Sequence, residues 1–113
     1  MIFFKPHIIS LNPERVTFTA FENNAELGSC ELVIKGNNAE IVSLSCDSGE
    51  HNIIEGLIKS AFNYACSKNC YMGYCRCVNI DENLNRMNFI KEDDFYYNDI
   101  PSILMGNCCK KHL

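Results

Sequence analysis

The hydrophobic pattern changes period once along the chain, at about Ser48, and that change limits the folds open to it. Before it, apolar residues alternate: in "RVTFTAFEN", Val16, Phe18 and Ala20 share one face and Thr17, Thr19 and Phe21 the other, the two-residue period of a strand. Two further strands are expected near Leu27 to Ile34 and Ala39 to Cys46. Gly36-Asn37-Asn38 between them tolerate positive φ and favour a hairpin. After Ser48, the residues Ile53, Ile54, Leu57, Ile58, Ala61, Phe62 and Ala65 draw one broad apolar stripe on a helix from about Glu50 to Ser67. Ser48 is its expected N-cap, Glu50 and Glu55 lie toward the end where the helix dipole favours negative charge, and Lys68-Asn69 ends it.

The remainder reads as "CYMGYCRCV", a short strand, "DENLNRM", a short helix capped by Asp81 and closed by a positive-φ Asn88, and "NFIKEDDFYYN", a final strand. "DIPSILMGNCCKKHL" reads as a turn or one helical turn and a polar end. The order is β-β-β-α-β-α-β. A long helix between two strands is a crossover, and crossovers place their strands parallel and right-handed. The fold class is therefore α+β (mixed α/β): a mixed, mostly antiparallel sheet with one long crossover helix. A single domain over residues 1–113 is expected, with its core at about 15–98 and a Cys-rich tail at 99–113.

Composition narrows the function classes. A chain of 113 residues with 47% hydrophobic and 21% charged residues can bury a core. No apolar run approaches the roughly 20 residues that span a bilayer, and "MIFFKPHIIS" is too short and polar for a signal peptide. A cytoplasmic protein with no membrane partner is expected. The formal charge of -4 and the lack of a basic patch larger than "CCKKHL" argue against nucleic acid as partner. The eight cysteines, without a secretion signal, read as reduced thiols.

The stretches "IVSLSCD", "HNIIEGLIKSAFNYACSKNCYMGYC" and "ENLNRMNFIKED" resemble the second half of the Gcn5-related N-acetyltransferase (GNAT) family. There a strand leads through a pyrophosphate-binding turn into a helix reading G-x-x-L-L-x-x-A-x-x-x-A, matched by "GLIKSAFNYA", and a later Y-x-x-x-G-F is matched by "LNRMNF". The resemblance covers roughly Val16 to Tyr97. What precedes Val16 is expected to be too short for a member's first strand and two helices. It implies acetyl-CoA or another acyl-CoA as cofactor, an amine as acceptor, and a homodimer as a compatible assembly. The strand edge at Leu44 to Cys46 would contact the pantetheine, and the N–H groups of Gly49, Glu50, His51 and Asn52 would face the pyrophosphate.

Against the family's R/Q-x-x-G-x-G/A, Gly49 stands at the Arg or Gln, Asn52 at the first glycine and Ile54 at the second. Those glycines let backbone N–H groups approach a pyrophosphate closely. Ile54 is expected to crowd that approach and Glu50 to repel the phosphate. The tyrosine that acts as general acid in the family falls at Leu84, which carries no proton to give. Weak or absent catalysis follows, with a non-catalytic interaction or regulatory module, or a thiol or metal protein, as the alternatives.

For the last alternative, Cys75 and Cys77 are two apart and share a strand face, Cys66 and Cys70 bracket the helix end, and Cys108-Cys109 precede Lys110, Lys111 and His112. None has the Cys-x-x-Cys knuckle spacing, so no metal is expected. An exposed Cys108-Cys109 pair beside two lysines would have lowered thiol pKa values. His51 reads as an exposed first-turn residue before a base or phosphate ligand, and His7 near the N-terminus is weaker still. Glu92-Asp93-Asp94 reads as a solvated turn. Among Tyr64, Tyr71, Tyr74, Tyr96 and Tyr97, the sequence does not single out a substitute acid.

Overall fold

In a computed structural model of the chain, residues 1–77 and 79–104 are described. Cys108, Cys109 and His112 lie outside the described residues. One seven-stranded sheet runs in the order β1-β2-β3-β4-β5-β7-β6. Its first four strands, β1 (Phe3–Leu11), β2 (Glu14–Glu22), β3 (Ala25–Lys35) and β4 (Asn38–Ser45), form an antiparallel meander. Its turns follow the residue chemistry: Asn23 and Asn24, at φ 53° and 69°, are both left-handed, as the tightest hairpin loops require, and Gly36 stands at φ 60°.

The helix α1 (His51–Ser67) then crosses to β5 (Met72–Cys75), which pairs with β4 in parallel, Asn38 to Met72 through Ile41 to Cys75. The crossover expectation holds. After α2 (Asp81–Arg86) come β6 (Ile90–Lys91) and β7 (Tyr96–Asp99), then α3 (Ile100–Leu104).

Four local expectations are corrected. A strand does precede Val16: β1 pairs with β2 across the tight turn at Asn12-Pro13. The final strand is two, because the adjacent carboxylates of Glu92, Asp93 and Asp94 spread into solvent in a turn closed by the Glu92 N–H donating to the Phe95 carbonyl at 2.8 Å. The cap of α1 is Glu50, without a side-chain hydrogen bond, while Ser48 Oγ accepts from the Glu50 N–H at 3.3 Å. Ile80 likewise caps α2, and Asp81 is its first helical residue.

All seven stripe residues of α1 are buried, and they pack on the face that carries Val16, Phe18, Ala20, Cys30, Leu32, Ala39, Ile41 and Cys75. Each fully buried Leu, Ile or Phe there contributes about 1.5–3 kcal/mol of transfer free energy. The opposite face carries its own cover. Arg15 pairs with Glu31, Arg76 bonds Glu40 at 2.9 Å, and Tyr74, Phe95 and Tyr97 pack with ring centroids 6.0 to 6.4 Å apart. Alternation within a strand separates the two faces, Tyr74 outward and Cys75 inward.

Two contacts tie the meander to the helix and are testable. A Cβ on Gly56 would fall inside the Phe4 ring, so the helix has no side chain where β1 docks. Gly56→Ala is expected to destabilise by about 1–3 kcal/mol through overpacking. In a thermal double-mutant cycle with Phe4→Ala, the two costs should sum to more than the double mutant's; strict additivity would place the ring elsewhere.

At the other end of α1, the Tyr64 hydroxyl donates to Glu14 of β2, and Lys68 lies 3.7 Å from the same carboxylate. The hydrogen bond to Glu14, then burial and the carboxylate's charge, push the Tyr64 phenol up to about 12. Because the folded value is raised, the contact's stabilisation is fully present below about pH 10, the unfolded value, and fades as pH rises through the folded one. Tyr64→Phe is expected to cost about 1 kcal/mol near neutral pH. Denaturant titrations should show that difference shrinking between pH 10 and 12, and a constant difference would remove the linkage.

Candidate functional site

β4 and β5 part company after four paired residues. The last bond is the Arg76 N–H to the Ile41 carbonyl at 3.5 Å. Beyond it, Ser43 to Ser45 stay paired with β3, but nothing from β5 pairs with them. The cause is visible in the register: Glu31 faces Ser43 and Leu32 faces Ile41, so Val42 is an extra, bulged residue. A bulge bends and twists its strand away from its neighbour. The result is a fork with Ile41 and Cys75 at its apex and the edge of β4 along one arm.

The fork opens toward the start of α1. There the Gly49 N–H donates to the Cys46 carbonyl at 3.1 Å, and Gly49 adopts φ 68°, so the chain reverses within a few residues. Helix geometry leaves the N–H groups of His51 and Asn52 without an intrahelical acceptor, a partial positive charge at the fork's mouth. The residues expected at the site thus come together. Leu44 and Cys46 are half-buried along the fork arm, and Gly49, Glu50, His51 and Asn52 are exposed at its mouth.

Ile54 is the correction here. It is 5% exposed and lies in the core with Ile53 and Leu57, so its bulk does not stand over the open N–H groups. Burial decides the point, since the residue three after the first helical position turns toward the sheet. Glu50 and Asp47 remain exposed at the mouth and give it negative charge.

His51 is engaged from the side. Asn83 of α2 is 3% exposed, and its amide N–H groups donate to His51 Nδ1 at 2.8 Å and to Glu55 Oε2 at 3.0 Å. Arg86 holds the same Glu55 oxygen at 3.0 Å, and Glu82 lies 3.9 Å from His51 Nε2. This assigns the Nε2–H tautomer to His51, with Nδ1 as acceptor. The network ties α2 to the start of α1.

Leu84, at the position of the family's general acid, is fully buried. A hydroxyl stands elsewhere: Tyr96 pairs with Cys75 across β5 and β7, and it shares a cavity with Asp81. Burial, then the nearby Asp81 carboxylate, raises its pKa. Tyr96, Asp81, Cys75 and Cys77 line one cavity of about 340 Å³ beside the apex. β5 ends at Cys75, so Cys77 lies beyond the strand rather than on its face, with its thiol 4.0 Å from the Ile41 carbonyl. No group of three His, Cys, Asp or Glu side chains that could hold a metal occurs among the described residues.

The fork, the bulged arm and the helix start can be compared with solved structures. A GNAT-family protein from Desulfovibrio desulfuricans superposes with TM-score 0.74 at 6% identity, over 88% of this chain and 99% of that one. This chain has the GNAT fold. The aminoglycoside 6'-N-acetyltransferase from Enterococcus faecium gives TM-score 0.68 at 12% identity, over 80% of this chain and 77% of its own. The PaiA N-acetyltransferase from Thermoplasma acidophilum, in complex with coenzyme A, gives 0.61 at 19% identity, over 77% and 60%. No family model and no curated protein matches the sequence.

Asn83 and the Tyr96–Asp81 pair were not legible as site residues in the GNAT-like sequence. A polar residue on a six-residue helix reads as solvated unless its partners are known, and Asn83 finds its partners on another element. Asn83→Ala is expected to cost about 1–3 kcal/mol, since it empties a buried polar position and releases His51 and Glu55. Urea denaturation would measure this, and a loss below about 0.5 kcal/mol, the range of ordinary surface substitutions, would mean that the network does not hold α2.

Proposed function

We propose that the chain binds an acyl-CoA in the fork between β4 and β5 and acts, weakly, as an acyltransferase toward an amine. The observation that carries this reading is the unpaired edge of β4 from Val42 to Ser45, leading from the apex to a helix start. A pantetheine arm is an extended chain with two amide groups. It can bond such an edge as an added strand would, while its pyrophosphate meets the open N–H groups of His51 and Asn52. The GNAT fold of the neighbours, one of them in complex with coenzyme A, supports the same placement.

The thioester would then lie near the apex. An amine attacks its carbonyl carbon, the carbon–sulfur bond breaks, and the departing thiolate takes a proton. Tyr96 is the described hydroxyl beside the apex, and with its raised pKa it is protonated at neutral pH. Leu84 supplies nothing, so the rate would rest on positioning and on Tyr96 alone.

Affinity should be low. A like charge about 4 Å from the phosphate costs roughly 1 kcal/mol in water, and the Asn52 side chain at the first glycine's position limits close backbone approach, together taking a micromolar site toward millimolar. Calorimetric titration is expected to show coenzyme A binding in that millimolar range. Glu50→Arg should tighten it about tenfold or more, because repulsion becomes attraction at an exposed position that does not support the core. Micromolar wild-type affinity would remove the charge account, and no response in either protein would leave the likeness as one of fold alone.

A further inference from the structure

The open end of the β4 arm lies against a residue that the acyl-CoA reading does not name. Ser29 and Ser45 are the last pair of β3 with β4, and one step on, in the same register, Gly28 faces Cys46, where the chain leaves the sheet. Gly28 is buried. A Cβ built on it would stand 2.7 Å from the Ser45 carbonyl oxygen, 3.3 Å from Cys46 Cβ and 3.4 Å from Cys46 Cα. On its other side Gly28 pairs with Ala20, and Leu27 is an extra residue before the next pair, Glu26 with Phe21, so β3 is bulged at this level.

The need for glycine here is one of space. Gly36 and Gly49 have positive φ and open surroundings, whereas the φ of Gly28 is one that other residues adopt. At Gly56 and Gly73 an added Cβ would meet the side chains of Phe4, Phe62 and Ile103, which have torsions of their own to adjust. At Gly28 it meets a backbone carbonyl, which moves only with its strand.

From these contacts we infer that Gly28 is a positioning residue of the fork: without a side chain, it lets the Ser45–Cys46 end of β4 lie flat on β3 and so places the open edge at Leu44 and the reversal that follows. The reversal is built directly on this seat. The Cys46 carbonyl accepts the Gly49 N–H at 3.1 Å, and Cys46 Sγ lies 3.6 Å from Ser48 Oγ. A methyl group at position 28 would have to lift the Ser45 carbonyl by about 0.7 Å to reach ordinary contact at 3.4 Å. Ile41, at the other end of the arm, is held by the parallel ladder and the Arg76 N–H and stands clear of that shift. The seat exists without any ligand; its effect on binding rests on the acyl-CoA reading.

Cys46 reports on the seat. Trypsin cuts after Arg15, Lys35, Lys59, Arg76 and Arg86, which leaves Cys30, Cys46 and Cys77 as single thiols in the peptides 16–35, 36–59 and 77–86. Reduced full-length protein is pulse-labelled with iodoacetamide under native conditions, and the three rates are compared between wild type and Gly28→Ala. The expected result is a rate at Cys46 about threefold or more higher in the variant, with Cys77 and the buried Cys30 unchanged. Equal acceleration at all three would make Gly28 a support of the whole sheet, and an unchanged Cys46 would mean that the arm does not rest on it; either overturns the proposal. In the wild type, a nuclear Overhauser contact between the α-protons of Gly28 and Cys46 is expected, and its absence overturns the proposal even where the variant fails to fold. Chemical-shift titration with coenzyme A then separates the seat from the reading. Affinity should fall about two- to tenfold in Gly28→Ala, the worth of one hydrogen bond. Equal affinity in a variant whose Cys46 has moved would overturn the positioning role, whereas no binding by the wild type would defeat the acyl-CoA reading and leave the labelling to decide the seat.

Discussion

The single parallel pairing among the described strands ends at Ile41, and the open edge of β4 follows from where it ends. A crossover helix delivers β5 alongside β4, and the four-residue ladder from Asn38 to Ile41 anchors the two halves of the chain. The bulge at Val42 then turns β4 away. Had the ladder continued, the backbone groups of Ser43 to Ser45 would be satisfied within the sheet and no edge would face the start of α1. A sheet interior is the costliest place to leave polar backbone groups unpaired, so a break there is best tolerated where solvent or a ligand can take their place.

The supports of the fork are unlike one another on its two sides. The β4 arm is held by β3 and by the apolar face of α1. The β5 side is short, and α2 is only six residues long. What keeps α2 in place is polar: Asn83 spans His51 and Glu55, and Arg86 closes on Glu55. Such networks are sensitive in a way that apolar packing is not, because losing one member strands the others. The β5 side is thus tied by directional bonds, and the β4 arm is tied by burial.

The period change at Ser48 made the architecture legible before any coordinates. It marks the point where half-buried strands give way to a helix with one buried stripe, and all seven stripe residues are buried. The parallel ladder followed from that crossover alone. What stayed illegible was set by partners far away in sequence. The strand β1 carries exposed Phe3, Ile8, Ile9 and Leu11, so it shows no clean alternation; its identity comes from pairing with β2 and from Phe4 meeting Gly56. Ile54 was placed by motif position, but the phase of the helix decided its direction. Cys77 was placed on a strand that stops two residues sooner. The turn from Gly49 to Asn52 is contiguous in sequence, whereas Asp81 and Asn83 on α2 and Tyr96 on β7 come from two separate stretches.

The electrostatics of the mouth say where binding energy can arise. A helix N-terminus is worth about 0.3–1 kcal/mol to an exposed anion, and each nearby exposed carboxylate opposes it by about the same amount. Glu50 and Asp47 together therefore cancel the dipole or exceed it. A ligand held by its phosphates alone gains nothing there, and inorganic phosphate or a free nucleotide is a poor occupant. The edge of β4 is neutral, and hydrogen bonds along it survive salt that would screen the mouth. In the proposed reading, affinity would come mainly from that edge, and the amide-bearing middle of a ligand would gain more there than its charged end, the reverse of a site built on glycines and a basic residue.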